Sequence, residues 1–309
     1  GDVPVRVVLV GDHVPQPLLD AGVHDFEAGP ACLQPQPIVV TDRFIGVVPE
    51  VVAGIAVLLG DQGIEIDHLR QPLGDLRGHP GDDEAAEAVA EDEDLIEIGG
   101  QTLLSRYLES LASVKIRQAT IVVGYKQEMI RAAVGSQCQG VDISYLVNEE
   151  FHRGSISSLW IARQALTDDA VIMDADVLFH REILRRLVAS PYENCLLMDD
   201  TVKQTGEECM VVVQGDRVIA LSKKMPDRYD LAGEGVGFLR VRRADTAQVI
   251  ASLKGYIDEG RWDMEYEDGL LQYFRDVKVG HEKIGGLPWT EIDFPEDVTK
   301  AEREVLPRL

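Results

Sequence analysis

The sequence predicts an α/β fold: a mixed, mostly parallel sheet with helices on both faces, preceded by an atypical N-terminal segment at residues 1–94. Three observations lead there. From residue 95 onward, short β-branched runs alternate with stretches of helical period, the pattern of strands joined by crossover helices. The apolar run 170–173 carries no polar alternation, as expected of a strand covered on both faces, and it ends in Asp174-Ala175-Asp176. At 210–221 two apolar runs flank Gln214-Gly215-Asp216, which predicts an antiparallel hairpin and makes the sheet mixed.

The elements follow in order. Residues 101–113 place Leu103, Leu104, Tyr107, Leu108 and Leu111 on one helical face. A strand is expected at 119–123, closed by Gly124, then a helix at 126–134 and a strand at 143–147. Residues 155–166 read as a helix with Ser155 at its N-cap, and 180–189 as another, followed by a strand at 195–198. Beyond the hairpin come a strand at 237–241, helices at 244–259 and 264–276, and a last helix at 295–305 opened by Pro295.

Composition divides the 309 residues near Asp94. Residues 1–94 hold 19 acidic residues, four arginines and nine of the 14 prolines, with no Lys, Ser, Asn, Tyr, Trp or Met. Ser, Lys and Asn supply caps, turns and solvated surface, so their joint absence is foreign to an ordinary domain. Two readings stay open: a real acidic Val/Pro-rich domain, or a wrong-frame translation or fusion joined to one. Apolar runs at Val5–Val10, 38–40 and 51–59 have strand or buried-helix character, and 82–94 reads as a solvated helix or linker.

The formal charge of −24 repels nucleic acid and anionic membranes, and neither is an expected partner. The longest uncharged apolar stretch, 51–60, is too short to span a bilayer, and no signal-peptide pattern opens the chain. Cys32, Cys138, Cys195 and Cys209 lack paired spacing and read as reduced thiols, which predicts a cytoplasmic protein. Nothing in the sequence sets the oligomeric state.

Several residues could carry chemistry. Asp174 and Asp176 would stand at the C-terminal edge of a parallel strand, where open α/β sheets bind ligands and carboxylates can hold Mg²⁺; turn and cap roles also favour Asp there. Asp293, just before Pro295, reads by itself as a helix cap. Asn148 and the small polar run 154–158 precede a helix whose N-terminus suits a phosphate or nucleotide, with ordinary capping as the alternative. Lys223 and Lys224 follow a strand and could meet a phosphate. Trp289, Tyr266 and Trp262 could cage a quaternary ammonium or pack in the core. His152, His180 and His281 lack ligand spacing, and the serines lack a G-x-S-x-G elbow.

Taken together, the stretches 95–104, 121–125, 148–160, 174–177, 194–199, 222–224 and 286–297 resemble, in order, those of nucleotidyltransferases that join an NTP to a phosphorylated alcohol or sugar. The bacterial phosphocholine cytidylyltransferase-like group is the nearest in pattern, over about residues 95–305. The resemblance implies a Rossmann-like sheet of the nucleotide-diphospho-sugar transferase type. It implies Mg²⁺-dependent transfer from CTP to phosphocholine or phosphoethanolamine with release of pyrophosphate, or alternatively transfer to a sugar 1-phosphate. Asp176 and Asp293 match the metal-binding carboxylates, with Asp174 beside them. Asn148 and Ser155 match the nucleotide site, and Lys223 a lysine near the acceptor phosphate. Trp289, Tyr266, Glu267 and Asp268 line up with the acceptor pocket.

One departure stands out. The group begins with a strand, a glycine-rich basic loop and a Pro-Lys pair, whereas the matching place here, 82–94, is acidic and lacks lysine. Gly60-Asp61-Gln62-Gly63 imitates the loop only faintly, and the first strand of the sheet is left unaccounted for. The competing functions are thus an active transferase, a catalytically dead binding remnant, and, for residues 1–94, an acidic interaction module.

Overall fold

The structure, a computed structural model, describes residues 5–10, 97–202, 204–206, 208–293 and 295–309. The expectations for 38–40, 51–60, 60–63, 82–94 and Cys32 lie outside the described residues. Strand β1 (Val5–Val10) is followed by α1 (Leu103–Ser113), β2 (Gln118–Val123), α2 (Gln127–Val134), β3 (Gln137–Cys138) and β4 (Val141–Val147). Then come α3 (Ser155–Ala162), β5 (Asp169–Asp174), β6 (Val177–Phe179), α4 (Arg181–Ala189) and β7 (Cys195–Asp199). The hairpin β8 (Met210–Gln214) and β9 (Arg217–Ser222) leads to β10 (Leu231–Val241) and α5 (Thr246–Asp258). The chain continues through α6 (Tyr266–Gly269), α7 (Leu271–Asp276), β11 (Gly280–Lys283), β12 (Trp289–Glu291) and α8 (Pro295–Lys300).

The main sheet has the order β11-β7-β10-β5-β1-β2-β4-β3, with β8 and β9 continuing from β10. Its centre, β5-β1-β2-β4, is parallel, as is β7-β11, and β10 lies antiparallel between β5 and β7. The strand that the sequence left unaccounted for is therefore present. Val5–Val10 supplies it from within the segment set apart by composition, pairing with both β2 and β5. Val7 and Leu9 face one core and Val8 and Val10 the other, so β1 is buried on both faces. Its last residue, Val10, pairs with Asp174, so the chain leaves β1 beside the acidic end of β5.

Helices cover both faces. The α1 stripe anticipated from its spacing (Leu103, Leu104, Tyr107, Leu108, Leu111) is buried, together with residues of α2 and α4, against one side of the sheet. Thr102 caps α1 by accepting the Ser105 N–H at 3.2 Å. On the other side, α3, α5, α6 and α7 enclose Ile156, Leu159, Val249, Leu253, Tyr273 and Phe274. Among the described residues no helix is long and apolar enough to cross a membrane. Among the described residues no disulfide joins Cys138, Cys195 or Cys209.

Three boundaries differ from expectation. Gly154, not Ser155, is the N-cap of α3, because the serine hydroxyl is engaged elsewhere. The helix expected at 264–276 is broken at Leu270 into α6 and α7. The helix after Pro295 runs regularly only to Lys300 and widens over Ala301–Val305. A small second sheet, β6 paired antiparallel with β12, was not anticipated, and it turns out to assemble the site.

Candidate active site

The site lies where β5 ends. Between β5 and β6 the chain bends through Asp174, Ala175 and Asp176, and β6 then pairs with β12 in the register Val177↔Glu291 and Phe179↔Trp289. The ladder extends one step further, with the Ile292 N–H donating to the Asp176 carbonyl at 3.0 Å. Ile292 is fully buried in the core, while the charge of Asp293 acts on Asp176 and the charges of both act on Glu291, which places the three carboxylates close together. Two aspartates more than a hundred residues apart are thus close enough for the charge of one to act on the other.

Their electrostatics are those of carboxylates short of a cation. Asp176 is 5% exposed, and its Oδ1, like Asp174 Oδ1, is buried with no hydrogen-bond partner among the described residues. Burial and then the charge of Asp293 push the Asp176 carboxyl up to about 7. Burial and neighbouring Asp297 push Asp293 up to about 6, with Lys223 opposing. Asp174 is raised well above its usual value by burial, then by Asp176 and Glu267.

Further acids line the same cleft. Burial and Glu265 raise Glu267 to about 8, against the pull of Lys223, and Glu267 Oε2 is buried with no hydrogen-bond partner among the described residues. Glu234, on β10, rises to about 7 through burial and the charges of Glu208 and Asp199, with Lys300 opposing. Glu291 is open to solvent yet ringed by Asp176, Asp293, Glu234 and Glu267, and desolvation within the cleft followed by those charges raises it strongly. Lys223 is exposed, and its charge acts on both Asp293 and Glu267.

Gly237 makes room for the bend. It holds φ +73°, and a Cβ there would stand 2.1 Å from Asp174 Oδ2. Gly237→Ala is expected to cost roughly 1–2 kcal/mol from the left-handed backbone alone, and more for displacing Asp174. Chemical denaturation checks this: a variant within 0.5 kcal/mol of the parent, itself only about the scatter of neutral surface changes, would contradict the packing.

Other anticipated residues do different work. Asn148 is 1% exposed, its amide donating to Ser157 Oγ at 2.9 Å and Ser158 Oγ at 3.0 Å while its oxygen accepts the Glu150 N–H. Ser155 donates to Glu265 at 2.6 Å and accepts the Tyr266 N–H at 2.8 Å. Both therefore tie α3 to its neighbours, and among the described residues their side-chain donors are engaged within the protein. Tyr266 is buried, and its hydroxyl donates to Asp174 Oδ2 at 3.0 Å, so it orients a carboxylate and offers no open aromatic face. Half-buried Trp289 donates its indole N–H to Asp199 at 3.0 Å. Exposed Asp268 accepts from Ser222, and Arg153 lies over the Trp262 ring at 5.7 Å. His180 caps α4, and His281 stacks on Tyr192.

Sequence reasoning missed Glu234, Glu291 and Tyr107. Glu291 falls inside the motif stretch that carried Asp293, and its spacing of two was the available signal. Glu234 sits among Gly233, Gly235 and Gly237, a glycine density that marks a close approach in a strand.

Among the described residues no three His, Cys, Asp or Glu side chains by themselves gather into a metal cluster. Asp174 and Asp176 each keep a buried oxygen without a partner among the described residues, and the charge of Asp293 acts on Asp176; carboxylate oxygens are the ligand type that Mg²⁺ takes together with substrate phosphates and water.

Residues 88–252 match the MobA-like NTP transferase domain, more than half of the chain. The chain belongs to this family. It therefore carries an NTP transferase domain. It is 26% identical over 223 residues to CMP-5'-(3-aminopropyl)phosphonate synthase of Streptomyces rubellomurinus, covering 67% of this chain and 34% of that protein. It is 25% identical over 215 residues to the bifunctional IPC transferase and DIPP synthase of Rubrobacter xylanophilus, covering 69% and 47%. The chain thus spans between a third and a half of the length of these curated relatives. Its fold is that of the CTP:phosphocholine cytidylyltransferase of Streptococcus pneumoniae, with TM-score 0.51 at 18% identity, over 67% of this chain and 87% of that one.

Proposed function

We propose that this nucleotidyltransferase transfers a cytidylyl group from CTP to a phosphate or phosphonate whose head group is a primary ammonium, releasing pyrophosphate. The observation that carries the reading is the meeting of Asp176 and Asp293 through the β6–β12 pair. In the reaction a phosph(on)ate oxygen of the acceptor attacks the α-phosphorus of CTP in line, and the bond to pyrophosphate breaks. No protein nucleophile is needed; positioning and charge neutralisation do most of the work. Asp176, Asp293 and Asp174 would hold Mg²⁺, which when bound offsets the charge developing on the phosphoryl oxygens. Lys223, facing Asp293 and Glu267, would meet the acceptor phosphate. The cytoplasm, expected from the lack of paired cysteine spacing, is the location this reading assigns.

The acceptor follows from charge. Glu234, Glu267 and Glu291 remain after the metal ligands are counted, and an ammonium head group would offset them where a neutral sugar would not. Because Tyr266 is buried and the Trp289 indole is tied to Asp199, carboxylates and not aromatic faces would receive the nitrogen, which favours N–H donors over a trimethylammonium. The relative from Streptomyces rubellomurinus bears an aminopropylphosphonate in its name.

Pyrophosphate release from CTP and Mg²⁺ tests the proposal. 3-Aminopropylphosphonate and phosphoethanolamine are expected to exceed phosphocholine and glucose 1-phosphate in kcat/KM by on the order of tenfold, about 1.4 kcal/mol of discrimination. A preference for glucose 1-phosphate would overturn the acceptor assignment. Calorimetric binding of the acceptors without CTP affinity would identify the binding-only remnant that the acidic stretch 82–94 suggested.

A further inference from the structure

We infer that Tyr107 is a positioning residue for the carboxylates of this site, an inference that rests on the proposed metal role of Asp176. The phenol comes from α1, on the far side of the first core, and its ring is 1% exposed. Its hydroxyl donates to the Asp174 carbonyl at 2.7 Å and accepts the Val177 N–H at 3.1 Å. These two backbone groups flank the bend that presents Asp176, so one hydroxyl closes the turn from both ends. On its other side the bend is held by the Ile292 N–H on the Asp176 carbonyl. The main chain at Asp176 is thereby clamped between α1 and β12.

Packing alone does not call for that hydroxyl. The Tyr107 ring meets Phe179 edge-on at 5.0 Å and Phe238 at 6.2 Å, contacts that phenylalanine would make equally well. What the oxygen adds is restraint on the main chain of the turn, whose two aspartates each keep an oxygen without a hydrogen-bond partner among the described residues. A cation needs its ligands converged before it arrives. Tyr107 acts on the metal through backbone geometry and touches no reacting atom.

Mn²⁺ titration of the full chain by calorimetry, with Tyr107→Phe and Asp176→Asn, separates this role from simple stabilisation. The relevant site is the one that Asp176→Asn abolishes. Tyr107→Phe is expected to weaken Mn²⁺ at that site about tenfold while keeping the native circular-dichroism spectrum. Wild-type affinity in Tyr107→Phe, whatever its melting temperature, overturns the inference, because a purely structural hydroxyl lowers stability without altering the folded fraction's affinity. If Tyr107→Phe does not fold, hydrogen exchange of the wild-type peptide 174–179 decides. Slowing by Mn²⁺ supports a clamped metal-bearing turn, and unchanged exchange overturns it. A wild type with no Asp176-dependent Mn²⁺ site overturns the metal reading itself, and this inference with it.

Discussion

Asp176→Asn is expected to lower turnover on the order of 10²–10³-fold, the scale of removing one preorganised electrostatic contact to developing charge, while raising the melting temperature of the metal-free protein. The two effects have one cause. Asp176 is buried, its Oδ1 has no partner, and its carboxyl titrates near 7 because desolvation and Asp293 disfavour the anion. At pH 8 the fold carries that charge at a cost that a cation would relieve and that asparagine, similar in shape and neutral, removes. Kinetics with saturating Mg²⁺ and melting in EDTA measure the two. Turnover within threefold of the parent, or a lower melting temperature in EDTA, would refute the placement of Asp176 in a cation site.

The metal-free protein is expected to lose stability as pH rises from about 5 to 8, and a divalent ion should restore it mainly at the upper end. The sign comes from linkage. Glu267, Asp176, Glu234 and Asp293 titrate in the folded chain near 8, 7, 7 and 6, raised chiefly by burial. Ordinary unfolded values lie near 4. The folded state therefore holds protons that the unfolded state releases, and stability falls with pH across that window. The contribution is fully present below the unfolded values and lost as pH climbs through the folded ones. Above pH 7 a cation takes the proton's place, so Mg²⁺ should raise the melting temperature at pH 8 and barely at pH 5. Melting curves with and without Mg²⁺ at these two pH values check this. A flat or rising metal-free profile would mean that the acids are paired in ways the fold does not show.

Much of this was legible because it is local. The α1 stripe, the β8–β9 hairpin and the buried strand ending at Asp174 each follow from a period or a turn residue within a dozen positions. Three-residue strands such as β6 and β12 were not, since so short a run carries no usable period and exists only through its partner. The hydrogen bonds of Asn148, Ser155 and Tyr266 were not legible for a related reason. The same local sequence serves a polar side chain that faces a ligand and one that faces a neighbouring helix, and here Ser157, Glu265 and Asp174 are the partners.

By itself, then, the sequence determined the alternation of strands and helices, the kind of chemistry, and the two aspartates worth watching, because burial period and residue chemistry are written into neighbouring positions. Only the tertiary structure decided that Val5–Val10 completes the sheet centre, that Glu234 and Glu291 join the acidic cluster, and that Tyr107 holds the bend. Those depend on which distant segments touch, a matter of long-range packing that no local pattern encodes.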